Sequence, residues 1–313
     1  MPSTRLLHTD RQSILFLERS RVRVQGERVV YDVADETLLR SFNIPHANLS
    51  CLILGQGTSI TQAAMRALSE EGVVLAVTGS GGTPLLMASF DEYRPTDRMR
   101  RWLDVYQDPD KSLAAAKLIQ HARLDAIDRF AETNASRFRI DWVEDTLDEY
   151  RAKVDRSTGI DKLSGHEGQF CRKFYADTCR GYGIQGFKRT AGARRHGGGV
   201  ENGNAVADMN RRLDDGNYLA YGLASVALWA YGIPAGLSVM HGKTRAGGLV
   251  FDLADSFKDA FVVPIAGECA SSAKAVSDTQ FRGKVIDAID KQRLLKRVFG
   301  TVDEILDKLA SEV

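Results

Sequence analysis

The chain has 313 residues, a formal net charge of +1, 43% hydrophobic and 27% charged side chains. At roughly 100–200 residues per domain this is one large domain or two ordinary ones, of globular composition. The near-neutral charge excludes a globally basic nucleic-acid binder, so any such surface must be a local patch. The cysteines Cys51, Cys171, Cys179 and Cys269 form no C-x-x-C pair, which excludes a zinc knuckle or a disulfide scaffold and fits a reduced, cytoplasmic compartment. Met1 to Gln12 has no apolar core of a secretory signal. The longest apolar run, Tyr218 to Tyr231, is broken by Gly222 and falls short of the ~20 residues a membrane span needs.

The first ninety or so residues read mostly as strand. Ile14–Leu17 is β-prone, Arg21–Val24 alternates with period two, and Gln25-Gly26-Glu27 predicts a hairpin loop before Arg28–Tyr31. Leu49–Leu54 is a further strand, ended by Gly55. A helix follows with Ile60, Ala64 and Leu68 on one stripe and Gly72 as its stop, then a buried strand Val73–Val77 ended by Gly79-Ser80-Gly81-Gly82. The pattern changes near Arg94-Pro95. Segments 98–107, 111–135, 164–181, 217–231 and 284–299 predict helices, and Thr301 with Glu304 predicts a capping box before the last helix. The fold class expected is α+β: a β-rich, sandwich-like domain over 1–93 and a larger all-α-helical domain over 94–313. Gly186 to Gly203, rich in Gly and Arg, reads as a mobile loop.

Gly55-Gln56-Gly57 resembles the start of a dinucleotide fingerprint, but its sixth position is Ile60 and no acidic residue follows the next strand, so a tight strand–helix turn is the better reading. Gly242-Lys243-Thr244 resembles the tail of a phosphate-binding loop, but Leu237 stands where the leading glycine is required. The segment Gly236 to Asp259 carries more chemistry. His241 precedes Asp252 and Asp255, which are spaced i and i+3 on what reads as a first helical turn, a donor set suited to a hard divalent metal. The bland alternative is an N-cap for Asp252 and a dipole contact for Asp255. A further carboxylate is required, and Glu167 supplies it, although Ser164-x-x-Glu167 also reads as a capping box. Across 172–212 the basic residues Arg172, Lys173, Arg180, Lys188, Arg189, Arg194, Arg195, Arg211 and Arg212 face only Asp177, Glu201 and Asp208, a local excess compatible with a phosphate-backbone surface or with a solvated face.

The chain resembles the CRISPR-associated integrase family, the "Cas-one" proteins of spacer acquisition, and within it subtype I-F. The resemblance rests on Asn43-Ile44-Pro45-His46-Ala47-Asn48, on Leu52 to Leu68 followed by Gly72 to Leu85, and on Asn217 to Asp259. It implies a β-rich domain joined to a helical catalytic domain, with the β-rich domains pairing two chains into a homodimer. It also implies Mg²⁺ or Mn²⁺ held by Glu167, His241 and Asp255, with Asp252 supporting the site. The implied activity is integration, in which the 3′-hydroxyl of a captured DNA fragment attacks a phosphodiester of the CRISPR repeat, with DNA endonuclease activity when water attacks instead. Lys243, Arg245, Arg194 and Arg195, near the site in sequence, are expected to contact DNA backbone. The implied partners are DNA and the small Cas-two protein, in this subtype fused to the Cas-three helicase-nuclease, with no membrane. Two rival readings share these residues: a metal-dependent nuclease without integration, and a non-enzymatic DNA-binding scaffold whose acids only cap helices. A nucleotide hydrolase using Gly242-Lys243-Thr244 is a third.

Overall fold

The computed structural model describes residues 12–34, 39–78, 84–88, 96–190, 204–242 and 247–311. Strands β1 (Gln12–Leu17), β2 (Ser20–Gln25), β3 (Arg28–Ala34), β4 (Leu39–Asn43), β5 (Leu49–Leu54), β6 (Ser59–Ile60), β7 (Val74–Thr78) and β8 (Pro84–Ala88) form two four-stranded sheets, ordered β1-β5-β7-β8 and β4-β3-β2-β6. The expected hairpin is present: Gln25 pairs with Arg28 across a two-residue turn, and Gly26 takes the φ of +63° the turn demands. β1, β5 and β7 run parallel, so the chain must cross over between β5 and β7, and helix α1 (Gln62–Glu70) lies in that crossover. Thr61 caps α1 by accepting from Ala64 N, and Ala64 and Leu68 are its buried stripe. Ile60, predicted on that stripe, belongs instead to β6, beside β2. Gly72, at φ +71°, follows the helix as expected.

β5 is buried along its whole length, as a central strand covered on both faces must be. Leu52 and Leu54 meet Leu17, Val22, Val29 and Leu68 in a core shared by the two sheets and α1, which is the sandwich-like arrangement expected. Cys51 and Ile53, pointing the other way, join the core of the helical part together with Ile14, Val74 and Ala76. The first sheet is therefore a middle layer between the second sheet and the helices.

The helices are α2 (Asp97–Gln107), α3 (Pro109–Thr133), α4 (Glu144–Arg156), α5 (Ile160–Gly181), α6 (Ala205–Tyr231), α7 (Gly248–Asp255), α8 (Lys258–Ala270), α9 (Asp278–Lys291) and α10 (Leu294–Leu309). The α+β class is as expected, and the predicted boundary at 93/94 lies outside the described residues. α8 is buried on nearly every side and packs on α3, α5, α6 and α9, so it is the axis of the helical part. Among the described residues no helix is long and apolar enough to cross a membrane.

Three local predictions are overturned. The run 284–299 is not one helix but the end of α9 and the start of α10, broken at Gln292-Arg293, where Arg293 takes φ +50°. Thr301 caps nothing: it lies inside α10 and its hydroxyl donates to the Arg297 carbonyl at 3.1 Å, while the capping box is Ser277 with Gln280 at the start of α9. α5 begins at Ile160 rather than Ser164, which places Glu167 in its third turn and removes the capping reading.

Candidate functional site

The N-terminal end of α8 brings two buried charges, Lys258 and Asp259, into the core, and a buried charge persists only when paired. Arg123 answers them from mid-α3. It occupies a stripe of buried residues, Ile119, Ala126, Ile127 and Phe130, and its side chain is fully buried. Its guanidinium lies 4.9 Å from the centre of the Phe170 ring and donates to Asp259, to Glu167 Oε1 at 3.0 Å and to Gln120 Oε1 at 3.1 Å. Tyr175 donates to the second oxygen of Asp259 at 2.9 Å. Glu167 stands on the buried stripe of α5 between Leu163 and Phe170, 16% exposed, and also accepts from the Cys171 thiol at 2.9 Å. Burial pushes that thiol well above its ordinary pKa, so Cys171 serves as a donor and not as a thiolate.

His241 comes from the connection between α6 and α7. Asp252 organises that connection: one oxygen accepts from Ser238 Oγ (2.6 Å), Val239 N (2.8 Å) and Met240 N (3.1 Å), the other from His241 N (3.0 Å) and His241 Nδ1 (2.7 Å). A carboxylate can only accept, so Nδ1 carries the proton and Nε2 is the remaining ring nitrogen. The turn lies so close to α7 that a side chain at Gly248 would meet Ser238 Cβ at 2.8 Å and Gly242 N at 2.9 Å. The first-turn reading of the two aspartates is thus corrected. α7 starts at Gly248, so Asp252 is mid-helix and caps the preceding turn rather than its own helix, and Asp255 is the last residue of α7.

That end of a helix disfavours an anion. Asp255 is nevertheless held below the usual carboxylate range: burial acts against its charge, but Lys258, Arg123 and His241 outweigh burial. Lys258 pairs with one oxygen; the other, Oδ2, is buried without a hydrogen-bond partner and lies 3.9 Å from His241 Nε2. His241 is raised above the ordinary imidazole value, because the hydrogen bond to Asp252 and the charges of Asp255, Asp252 and Glu167 overcome desolvation. Four carboxylates (Glu167, Asp252, Asp255, Asp259) thus face two fixed cations (Arg123, Lys258) in one buried cluster, which leaves it short of positive charge.

These residues fit a hard divalent ion in donor chemistry: a carboxylate oxygen without a partner beside an imidazole, in a cluster lacking cationic charge. As placed, no three His, Cys, Asp or Glu side chains among the described residues stand close enough to hold a metal. Glu167 is turned onto Arg123 and Cys171, and both oxygens of Asp252 are spent on the 238–241 turn. His241, Asp252 and Asp255 are brought together; Glu167 is linked to Asp255 through Arg123, Asp259 and Lys258. Lys243, Arg245, Arg194 and Arg195 lie outside the described residues. Much of the remaining basic run is consumed internally: Lys173 pairs with Glu149, Arg180 with Asp177, Arg189 with Asp214, Arg211 with Asp208 and Asp278, and Arg212 with Asp208. Sequence reasoning missed Arg123, Lys258 and Asp259. The signal for Arg123 was a charge inside an apolar stripe; Lys258 and Asp259 directly follow Asp255 in a buried helix.

A family model described as CRISPR associated protein Cas1 matches residues 14–285. A protein named CRISPR-associated endonuclease Cas1 from Pectobacterium atrosepticum is 35% identical over 326 aligned residues, covering 98% of this chain and 96% of that one. Another of the same name, from Pseudomonas aeruginosa, is 36% identical and covers 97% and 95%. Among solved structures, a casposase bound to integration product superposes with a TM-score of 0.71 at 14% identity, covering 95% of this chain and 91% of that one. The crystal structure of a TtCas1-DNA complex gives 0.59 at 24% identity, covering 98% and 99%. The two structural likenesses show a shared fold.

Proposed function

Because the chain belongs to the Cas1 family of CRISPR associated proteins, we propose that it is a metal-dependent DNA integrase and endonuclease, joining the 3′-hydroxyl of captured DNA to a CRISPR repeat. The observation that supports this most is the buried Asp255 Oδ2, which has no hydrogen-bond partner and faces His241 Nε2 at 3.9 Å in a cluster short of positive charge. The names of the matched relatives and the casposase with its integration product agree with the reaction class.

In this reading Glu167, His241 and Asp255 hold Mg²⁺ or Mn²⁺. The ion, when bound, supplies charge neutralisation at the scissile phosphate and lowers the pKa of the attacking hydroxyl. Asp252 fixes the His241 tautomer, so that Nε2 is presented toward Asp255. Arg123 holds Glu167, and Lys258 holds Asp255 and helps keep that carboxylate ionised inside the core. One phosphodiester replaces another, so no nucleotide hydrolysis is required. Lys243, Arg245, Arg194 and Arg195 contact the DNA backbone, the β-rich domains form the homodimer, and the protein works in the cytoplasm with Cas-two, as its fusion to Cas-three.

The test supplies labelled DNA fragments with free or blocked 3′-hydroxyls and a repeat-containing plasmid, with Mn²⁺ or a chelator. Integration requires the free hydroxyl and the metal. Products that form equally from blocked ends reduce the activity to hydrolysis, and activity that persists in Glu167→Ala, His241→Ala and Asp255→Ala alike refutes the site.

A further inference from the structure

Away from the acidic cluster, a cavity of about 600 Å³ opens between α3, α8, α9 and α10. Two helices that build the acidic site also build this cavity from their other ends. On α3, Arg129 follows Arg123 by six residues, ~9 Å along the axis and on a different face. On α8, Pro264, Ile265 and Glu268 line the cavity, while Asp259 faces the acidic site.

Its cations are unusual in their pairing. Arg129 and Lys291 make no side-chain hydrogen bond or ion pair among the described residues, and Arg297 spends only its Nε, on the Gln292 carbonyl at 2.9 Å. Arg297 is held below the ordinary guanidinium value, first by burial and then by the like charge of Arg129. The exposed Arg129 and the half-buried Arg297 thus line one cavity with no anionic partner among the described residues. The acids do not supply it. Glu268 is spent on Lys284 at 2.8 Å and lies 3.8 Å from Arg137, while Glu132 and Asp287 are exposed and form no ion pair among the described residues. Opposite Arg129 and Arg297, Tyr182, Pro264 and Ile265 give the cavity an apolar face, and Tyr182 is fixed. The Tyr182 ring packs edge-on to Trp142 at 5.0 Å, its hydroxyl donates to the Arg137 carbonyl at 2.6 Å, and Gly267 lies so close that a side chain there would meet the ring at 2.4 Å.

We propose that this cavity is a binding site for a phosphate-bearing ligand of nucleotide size, its phosphate held between Arg129 and Arg297 with Lys291 at the rim. Paired guanidiniums match phosphate oxygens in geometry, and the volume lies within the range of small-ligand sites. The apolar wall at Tyr182 and Ile265 takes the sugar or base. The ligand is either a free nucleotide or one unit of a DNA strand, and the two are separable. The site shares no ligating side chain with the acidic cluster, so it stands or falls independently of the metal reading.

The experiment titrates the full-length protein, in chelator, with dAMP, with deoxyadenosine and with a short single-stranded oligonucleotide, by calorimetry and fluorescence anisotropy. The expected result is binding of dAMP or the oligonucleotide but not deoxyadenosine. Affinity should fall about tenfold for each of Arg129→Gln and Arg297→Gln. Binding of dAMP identifies a free nucleotide site. Binding of the oligonucleotide alone identifies a strand contact, whose salt slope falls by roughly one per arginine removed. Should either variant fail to match the wild-type circular dichroism and melt, Lys291→Gln at the exposed rim replaces it, with a several-fold loss expected. Affinities that do not respond to these variants, or no binding of either phosphate probe, overturn the proposal.

Discussion

Asp252 accepts five hydrogen bonds, while Asp255, one turn later, keeps an oxygen with none. The difference divides their expected phenotypes. Asp252→Ala strands buried donors of the 238–241 turn and should cost about 3 kcal/mol, measured by urea unfolding in chelator. Asp255→Asn should instead remove the stabilisation that Mn²⁺ gives: the wild-type melting temperature rises with metal concentration, and the variant's does not. A second residue-scale prediction concerns Asp128, which pairs with Arg151 at 2.8 Å yet has a raised pKa, because burial outweighs the pair. A carboxyl with a folded pKa above its unfolded value holds its proton longer in the fold. Its contribution is therefore present below the unfolded value, near 3.8, and is lost as pH rises through the folded one. Asp128→Asn should accordingly leave the melting temperature equal or higher at pH 7 and unchanged near pH 3. A clear loss at pH 7 would show that the pair is net stabilising.

At the scale of elements, α6 packs closely on α8. A Cβ on Gly216 would meet Val262 Cγ1 at 2.5 Å. Alanine there gains helix propensity of up to ~1 kcal/mol but is overpacked by ~1–3 kcal/mol, so Gly216→Ala should lower stability, and adding Val262→Ala should restore part of it. Elements were legible in the sequence where their cause is local. The alternation at Arg21–Val24 and the glycine at 26 are read from neighbours alone. The parallel pairing of Ile14 with Cys51 is not, since nothing in either segment names its partner. Local patterns also misled. Ser164-x-x-Glu167 and Thr301-x-x-Glu304 have the spacing of caps but lie inside helices, because Ile160 and Leu294 start those helices earlier. His241 with Asp252 was legible because one short segment holds both. Glu167's attachment to Arg123 was not, since it needs two helices to pack.

At the scale of the whole molecule, the first sheet belongs to two cores at once. Ile53 is buried against the helical part while its neighbours Leu52 and Leu54 are buried against the second sheet. Arg282 of α9 reinforces the junction, pairing with Glu18 at 2.6 Å over the Phe16 ring. The β-rich and helical parts should therefore unfold together. Calorimetry of the wild type should show one transition, and Ile53→Ala should shift it as a whole, by about 2–4 kcal/mol, rather than release a separate low-temperature step. Two resolved transitions would show that the parts are independent.

The acidic cluster draws its side chains from Arg123, Glu167, His241, Asp252, Asp255, Lys258 and Asp259, and the helix that closes it, α8, ends at Ala270. A ribosome makes these in that order, α8 last. Until α8 has emerged, Arg123 has no Asp259 and Asp255 has no Lys258, so the unfinished chain carries no assembled centre. The cluster is thus completed by the last fifth of the chain: a polypeptide truncated anywhere before α8 lacks both Lys258 and Asp259.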